Sequence, residues 1–274
     1  MRSDTYRLLA PESRTIQLLI VVQVLSLWPV WSWYLSRMLD RSDEPWGVLA
    51  LVTALVYLVL TARVRTPTRS QIAYCLAAQG IYCYTLFGMP MLIQAVSGVI
   101  AAGVFLGVVC FGRTVHFSLL ALLVLSLPII ASLQFFAGFP VRLLTAQISG
   151  FLLTCLGYPT TAHGTSLRYL GEIVSIDAPC AGIKMLWTGL YLNFTLSAFR
   201  NLSFFKTWLS YSSAVVIIFS GNTLRATLLF FGEAEICHFP GWAHQGIGLA
   251  VFVLVAGGII LTHEKLRPKD EPTL

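Results

Sequence analysis

The sequence predicts an all-α fold, a polytopic transmembrane helical bundle of about eight spans. Three observations predict it. Of 274 residues, 57% are hydrophobic and 11% charged, and the mean hydropathy is +0.77, whereas soluble domains carry about 25% charged residues. The apolar residues are gathered into runs near the length of about 20 that a helix needs to cross a bilayer. Within the runs there is no period-2 alternation, which argues against a membrane barrel. A water-soluble enzyme of this length would need far more polar surface to cover its core, and a disordered chain far fewer apolar residues.

The spans lie, in order, at 16–35, 46–62, 70–87, 90–110, 116–136, 181–199, 207–231 and 245–262. The first is long, rich in Trp and without a small-residue cleavage site, so it reads as a span rather than a signal peptide. The third is the most polar, with Gln71, Gln79, Gly80, Tyr82 and Tyr84 inside it. After the fifth comes 141–157, where Arg142, Thr145, Gln147 and Ser149 oppose Leu144, Ile148, Phe151 and Leu152. That pattern predicts an amphipathic helix lying at the outer interface. Residues 158–180 then form the main outer loop, with a short hairpin over Leu167–Asp177 turning near Gly171. The organisation is a single membrane domain. Five spans occupy 1–136, the interfacial helix and outer loop 137–180, three further spans 181–262, and a basic tail 263–274.

The net charge of +6 does not point to nucleic acid, because Lys and Arg sit in short runs between the spans. There they set topology. Placing both termini in the cytoplasm puts twelve Lys and Arg inside and four outside, with Lys184 and Arg225 within spans. A ninth span at 141–157 would place Arg200, Lys206 and the basic tail outside, against that rule. The six cysteines, at 75, 83, 110, 155, 180 and 237, show no CxxC pair and no metal-ligand spacing, so neither disulfide framework, metal nor cofactor is expected.

Ionisable groups within spans cost roughly 2.5–3.5 kcal/mol each at a helix centre, so they mark function by default. Under this topology Lys184 and Arg225 both fall in the outer half. Cys180 sits where the outer loop meets the sixth span, in DAPCAGIKML. Asn222 precedes Arg225 by three residues, on one helix face, in GNTLRAT. His244 opens the last span, in WAHQGIG. A thiol, a guanidinium and an imidazole thus reach one depth on one side from three consecutive spans. A thiolate is favoured at a helix N-terminus or beside a cation. Ala181 and Gly182 leave room for a substrate backbone. An imidazole can protonate a departing amine, and a guanidinium can hold an oxyanion. Together these groups suit acyl transfer through a thioester. The bland readings are a snorkelling Arg225, or one paired with Asp177, Glu233 or Glu235, and an interfacial His244 with His238 as its competitor. Asn222 reads as an anchor for its helix or for Arg225. Lys184 either snorkels or helps keep Cys180 ionised.

These residues resemble a known family. CAG at 180–182, NTLR at 222–225 and HQGIG at 244–248 are similar to the three signatures of the exosortase/archaeosortase family: C-(S/A)-G, N-x-x-R and H-x-x-x-G, the last ending at Gly248. LQFFAGFPVRLL at 133–144 also resembles the family's approach to its cysteine. The likeness covers about 133–250. It implies a membrane-embedded cysteine peptidase or transpeptidase with Cys180 as nucleophile, Arg225 as transition-state stabiliser and His244 as acid–base. The implied substrates are exported proteins that end in a short motif such as Pro-Glu-Pro, one transmembrane helix and a basic cluster. The implied site faces outward from a plasma membrane, in a bacterium the inner one, with surface polysaccharide or a lipid-linked group as a candidate acceptor. The competing classes are a transporter, which would place polar groups near the midplane on interrupted helices, and a non-catalytic subunit of an envelope polysaccharide assembly system, which would not need the thiol.

Overall fold

The computed structural model describes residues 20–39, 45–176 and 182–267. The chain divides into two compact units, Met1–Ile129 and Ile130–Leu274.

The first unit is helical. Residues 20–26 lead into α1 (Trp28–Leu39), and α2 (Trp46–Thr61), α3 (Arg69–Thr85), α4 (Met91–Phe111) and α5 (Phe117–Leu125) follow. Polar residues inside its apolar stretches are spent on joining helices. The Thr68 hydroxyl accepts from the Gln71 amide N–H, and the Gln71 side chain accepts from the Thr68 N–H, a capping box that starts α3. Further along α3, Gln79 accepts from the Gln23 amide at 3.1 Å and the Tyr82 hydroxyl donates to the Ser26 carbonyl at 3.0 Å. This is how the most polar predicted span forms a helix. His116 caps α5, its Nδ1 accepting from the Leu119 N–H at 3.4 Å. Its Nε2 therefore carries the proton, and it donates to the Tyr57 hydroxyl at 3.0 Å. Leu27, Val30, Tyr82, Ala95, Ala101 and Leu127 form one buried cluster.

The second unit is built on α6 (Ile130–Cys155), a three-stranded antiparallel sheet, and α7 (Ile183–Phe199), α8 (Phe204–Glu233) and α9 (Ala243–Leu266). The strands are β1 (Thr161–His163), β2 (Ser166–Tyr169) and β3 (Glu172–Ser175). Helix α8 is central, packed against α6, α7 and α9. Small residues let the helices approach. A Cβ on Gly189 would stand 2.6 Å from Ile218, and one on Gly221 would run into Val255. Met185, Ala214, Ile218, Val251, Val255 and Ile259 fill the space between.

The expected hairpin is present. Tyr169 pairs with Glu172 across a two-residue turn in which Leu170 and Gly171 both have positive φ, 48° and 95°. Such a turn needs left-handed backbone at both central positions, which Gly171 takes without strain. The first strand, β1, lacks a sequence signal. The sheet docks on α6 and the end of α8, where Leu167, Val174 and Ile176 pack with Ala146, Leu153 and Phe230.

Two expectations change around residue 130. The fifth span is not continuous over 116–136: α5 stops at Leu125, Pro128 follows, and α6 begins at Ile130. Proline removes a backbone donor and disfavours helix in the residue before it. The segment expected to form a separate interfacial helix is instead the continuation of α6, a single 26-residue helix through Pro140. Its polar face is used inside the protein. Thr145 and Ser149 are fully buried, and the Ser149 hydroxyl donates to the Thr223 carbonyl of α8 at 3.3 Å. Amphipathicity alone does not distinguish a helix facing headgroups from one facing a polar partner. Among the described residues α4, α6, α8 and α9 are long and apolar enough to cross a membrane, and α2 is apolar but shorter.

Candidate active site at the α8–α9 end of the second unit

Three of the residues singled out by the sequence meet around one small hollow. Asn222 and Arg225 lie one turn apart on α8, and His244 lies in the first turn of α9. A guanidinium Nη2 of Arg225 is 3.5 Å from the His244 Nε2. Gly248, one turn beyond His244, lies beside the Arg225 guanidinium, where a Cβ would be in contact with Nε at 3.4 Å. The hollow, of about 80 Å³, is lined by Asn222, Arg225 and His244 together with Leu167 and Val174–Ile176 of the sheet region and Glu233 of α8.

Asn222 is buried and tied to α6, its amide donating to the Thr145 hydroxyl at 3.4 Å. Its Oδ1 and the Nε of Arg225 are buried polar atoms with no hydrogen-bond partner among the described residues. Such orphans are rare in folded proteins. On its other side Asn222 abuts the start of α7. A Cβ on Gly182 would lie 2.5 Å from the Asn222 Cγ and Oδ1, and Gly182 holds a left-handed φ of +76° as the N-cap of α7. The residue after the CA pair must therefore be glycine for two reasons, conformation and space.

Cys180 lies outside the described residues, as do Asp177 and Ala181. The segment is bracketed by Ile176, which lines the hollow, and Gly182, which touches Asn222. Lys184 is exposed in the first turn of α7 and is not among the residues lining the hollow. Glu233, one of three acids weighed as partners of Arg225, lies beside the imidazole, 4.0 Å from the His244 Nδ1. His238 lines a separate, larger hollow of about 470 Å³ that shares Leu229, Glu233 and His244 with the first. No motif marks Leu167 or Val174–Ile176 as lining residues; they reach the hollow because the sheet packs on α6 and α8.

A family model described as Transmembrane exosortase (Exosortase_EpsH) matches residues 12–261. The chain belongs to the transmembrane exosortase family. The match extends the likeness seen in the motifs back through the first unit, almost to the start of the chain. With its long apolar helices, this exosortase is an integral membrane protein. No curated protein and no solved structure matches the chain.

Proposed function

We propose that this exosortase is a cysteine peptidase or transpeptidase that cleaves the C-terminal sorting signal of exported proteins. In this reading both termini are cytoplasmic and the site opens on the extracytoplasmic face of the plasma membrane. The observation that carries the reading is the pairing of Arg225 with His244 beside a hollow that also takes in Asn222. Position 180 lies two residues before Gly182, a length of chain that reaches at most about 7 Å, and Gly182 abuts Asn222.

The chemistry follows from these groups. The Cys180 thiolate attacks the scissile carbonyl carbon, forming a C–S bond and placing the negative charge on oxygen. The Nε of Arg225, buried and unpartnered among the described residues, is the donor for that oxyanion. Collapse of the intermediate breaks the C–N bond, and the imidazolium of His244 gives its proton to the leaving amine. The acyl group stays on sulfur as a thioester. Water, or a hydroxyl or amine of a surface acceptor, then attacks it while His244 takes up the proton, and the thiolate departs. The exported protein's own membrane helix holds the scissile bond at the depth of the site.

Replacing Cys180 with Ala separates this reading from a transporter or a scaffold subunit. Exported proteins ending in a short motif, a helix and a basic tail are expected to accumulate untrimmed in a Cys180→Ala strain. Normal trimming in that strain would overturn the peptidase reading.

A further inference from the structure

Glu233 is the last residue of α8, two turns beyond Arg225, and its side chain is exposed. None of the three family signatures includes it. Its position bears on a question the Arg225–His244 contact raises: which ring nitrogen carries the proton. A guanidinium has donors only and keeps its proton. The 3.5 Å approach of Arg225 Nη2 therefore requires a lone pair on His244 Nε2. In the neutral ring the proton is then on Nδ1, and the Nδ1 side faces the Glu233 Oε1 at 4.0 Å.

We infer that Glu233 is a positioning residue for His244, holding the ring in the Nδ1-protonated tautomer with the Nε2 lone pair turned toward Arg225 and the hollow. It takes the orienter's place in a nucleophile–base–orienter constellation, but from an exposed position and through charge at 4.0 Å. Glu233 and His244 also both line the small hollow and its larger neighbour, so the oriented ring stands where the two spaces meet. The consequence for catalysis rests on His244 being the acid–base of the proposed peptidase, whereas the tautomer assignment does not.

The test uses the full-length protein in detergent micelles with ¹⁵N-labelled histidine, the His244 signals being identified by their loss in His244→Gln. The wild type is expected to show a protonated Nδ1 and a bare Nε2. Glu233→Ala is expected to populate the Nε2-protonated tautomer, and Glu233→Asp and Glu233→Gln, which keep an acceptor, to retain more of the original one. Processing by Glu233→Ala is expected to fall roughly two- to fivefold, the scale of one exposed ion pair, with recovery in Glu233→Asp. An unchanged His244 tautomer in Glu233→Ala overturns the proposal whatever the processing assay shows. If His244→Gln processes substrate normally while Glu233→Ala still changes the tautomer, the peptidase reading fails and the positioning role stands.

Discussion

The helices α7, α8 and α9 carry the same set of polar residues at both ends. At one end Asn222, Arg225, Glu233 and His244 surround the hollow. At the other stand Asn193, Arg200, His263 and Glu264. The second set ties helices together, although Asn193 Nδ2, Arg200 Nη1 and His263 Nδ1 are also buried without a partner among the described residues. His263 and Asn193 are fully buried and joined at 3.0 Å between Nε2 and Oδ1, and Arg200 and Glu264 form an ion pair between the end of α7 and α9. The first set is held loosely, with its Arg–His and His–Glu approaches at 3.5 and 4.0 Å and its His and Glu side chains about half-exposed. Residue types therefore do not separate a site from a tie between helices. What marks the first set is that its Asn222, Arg225, Glu233 and His244 line a hollow.

That difference can be broken from either side. The largest effect is expected from Gly182→Ala, which adds a Cβ 2.5 Å from Asn222 at a left-handed backbone position. The combined strain and crowding amount to roughly 2–4 kcal/mol. Denaturant unfolding in micelles would measure it, and Asn222→Ala in the same chain should recover the crowding part but not the conformational part. If the double variant recovers nothing, the close approach of α7 and α8 is misplaced. Asn193→Ala comes next. It leaves the buried His263 Nε2 without its partner and should cost about 1–2 kcal/mol, with processing of exported proteins little changed. A large loss of activity at unchanged stability would make the far end part of the working site. The smallest effect is expected from Glu264→Gln. Its pair with Arg200 is partly exposed, so it should contribute less than about 1 kcal/mol and weaken further in added salt.

Much of the fold was legible because bilayer-length apolar runs leave the backbone few choices. The α4, α8 and α9 runs and the Gly171 hairpin were read directly from the residues. The break after Leu125 was missed because uniform hydropathy hides a proline whose neighbours are all apolar. Helix α6 was misassigned because Thr145 and Ser149 look the same in sequence whether they face headgroups or, as here, α8. At the site, the pairing of Arg225 with His244 was anticipated from their shared depth on neighbouring helices. The place of Glu233 was not: it was one of three acids weighed as partners for Arg225, and it lies beside the imidazole.

The sequence by itself determined that this is a helical membrane protein and which motifs set it in its family, because composition and short local patterns decide both. Only the tertiary structure decided which of two matching polar sets faces a hollow and which nitrogen of His244 faces an acid. Those properties depend on how side chains from α6, the sheet, α8 and α9 converge across tens of residues of chain, and packing at that range leaves no period or spacing in the sequence to read.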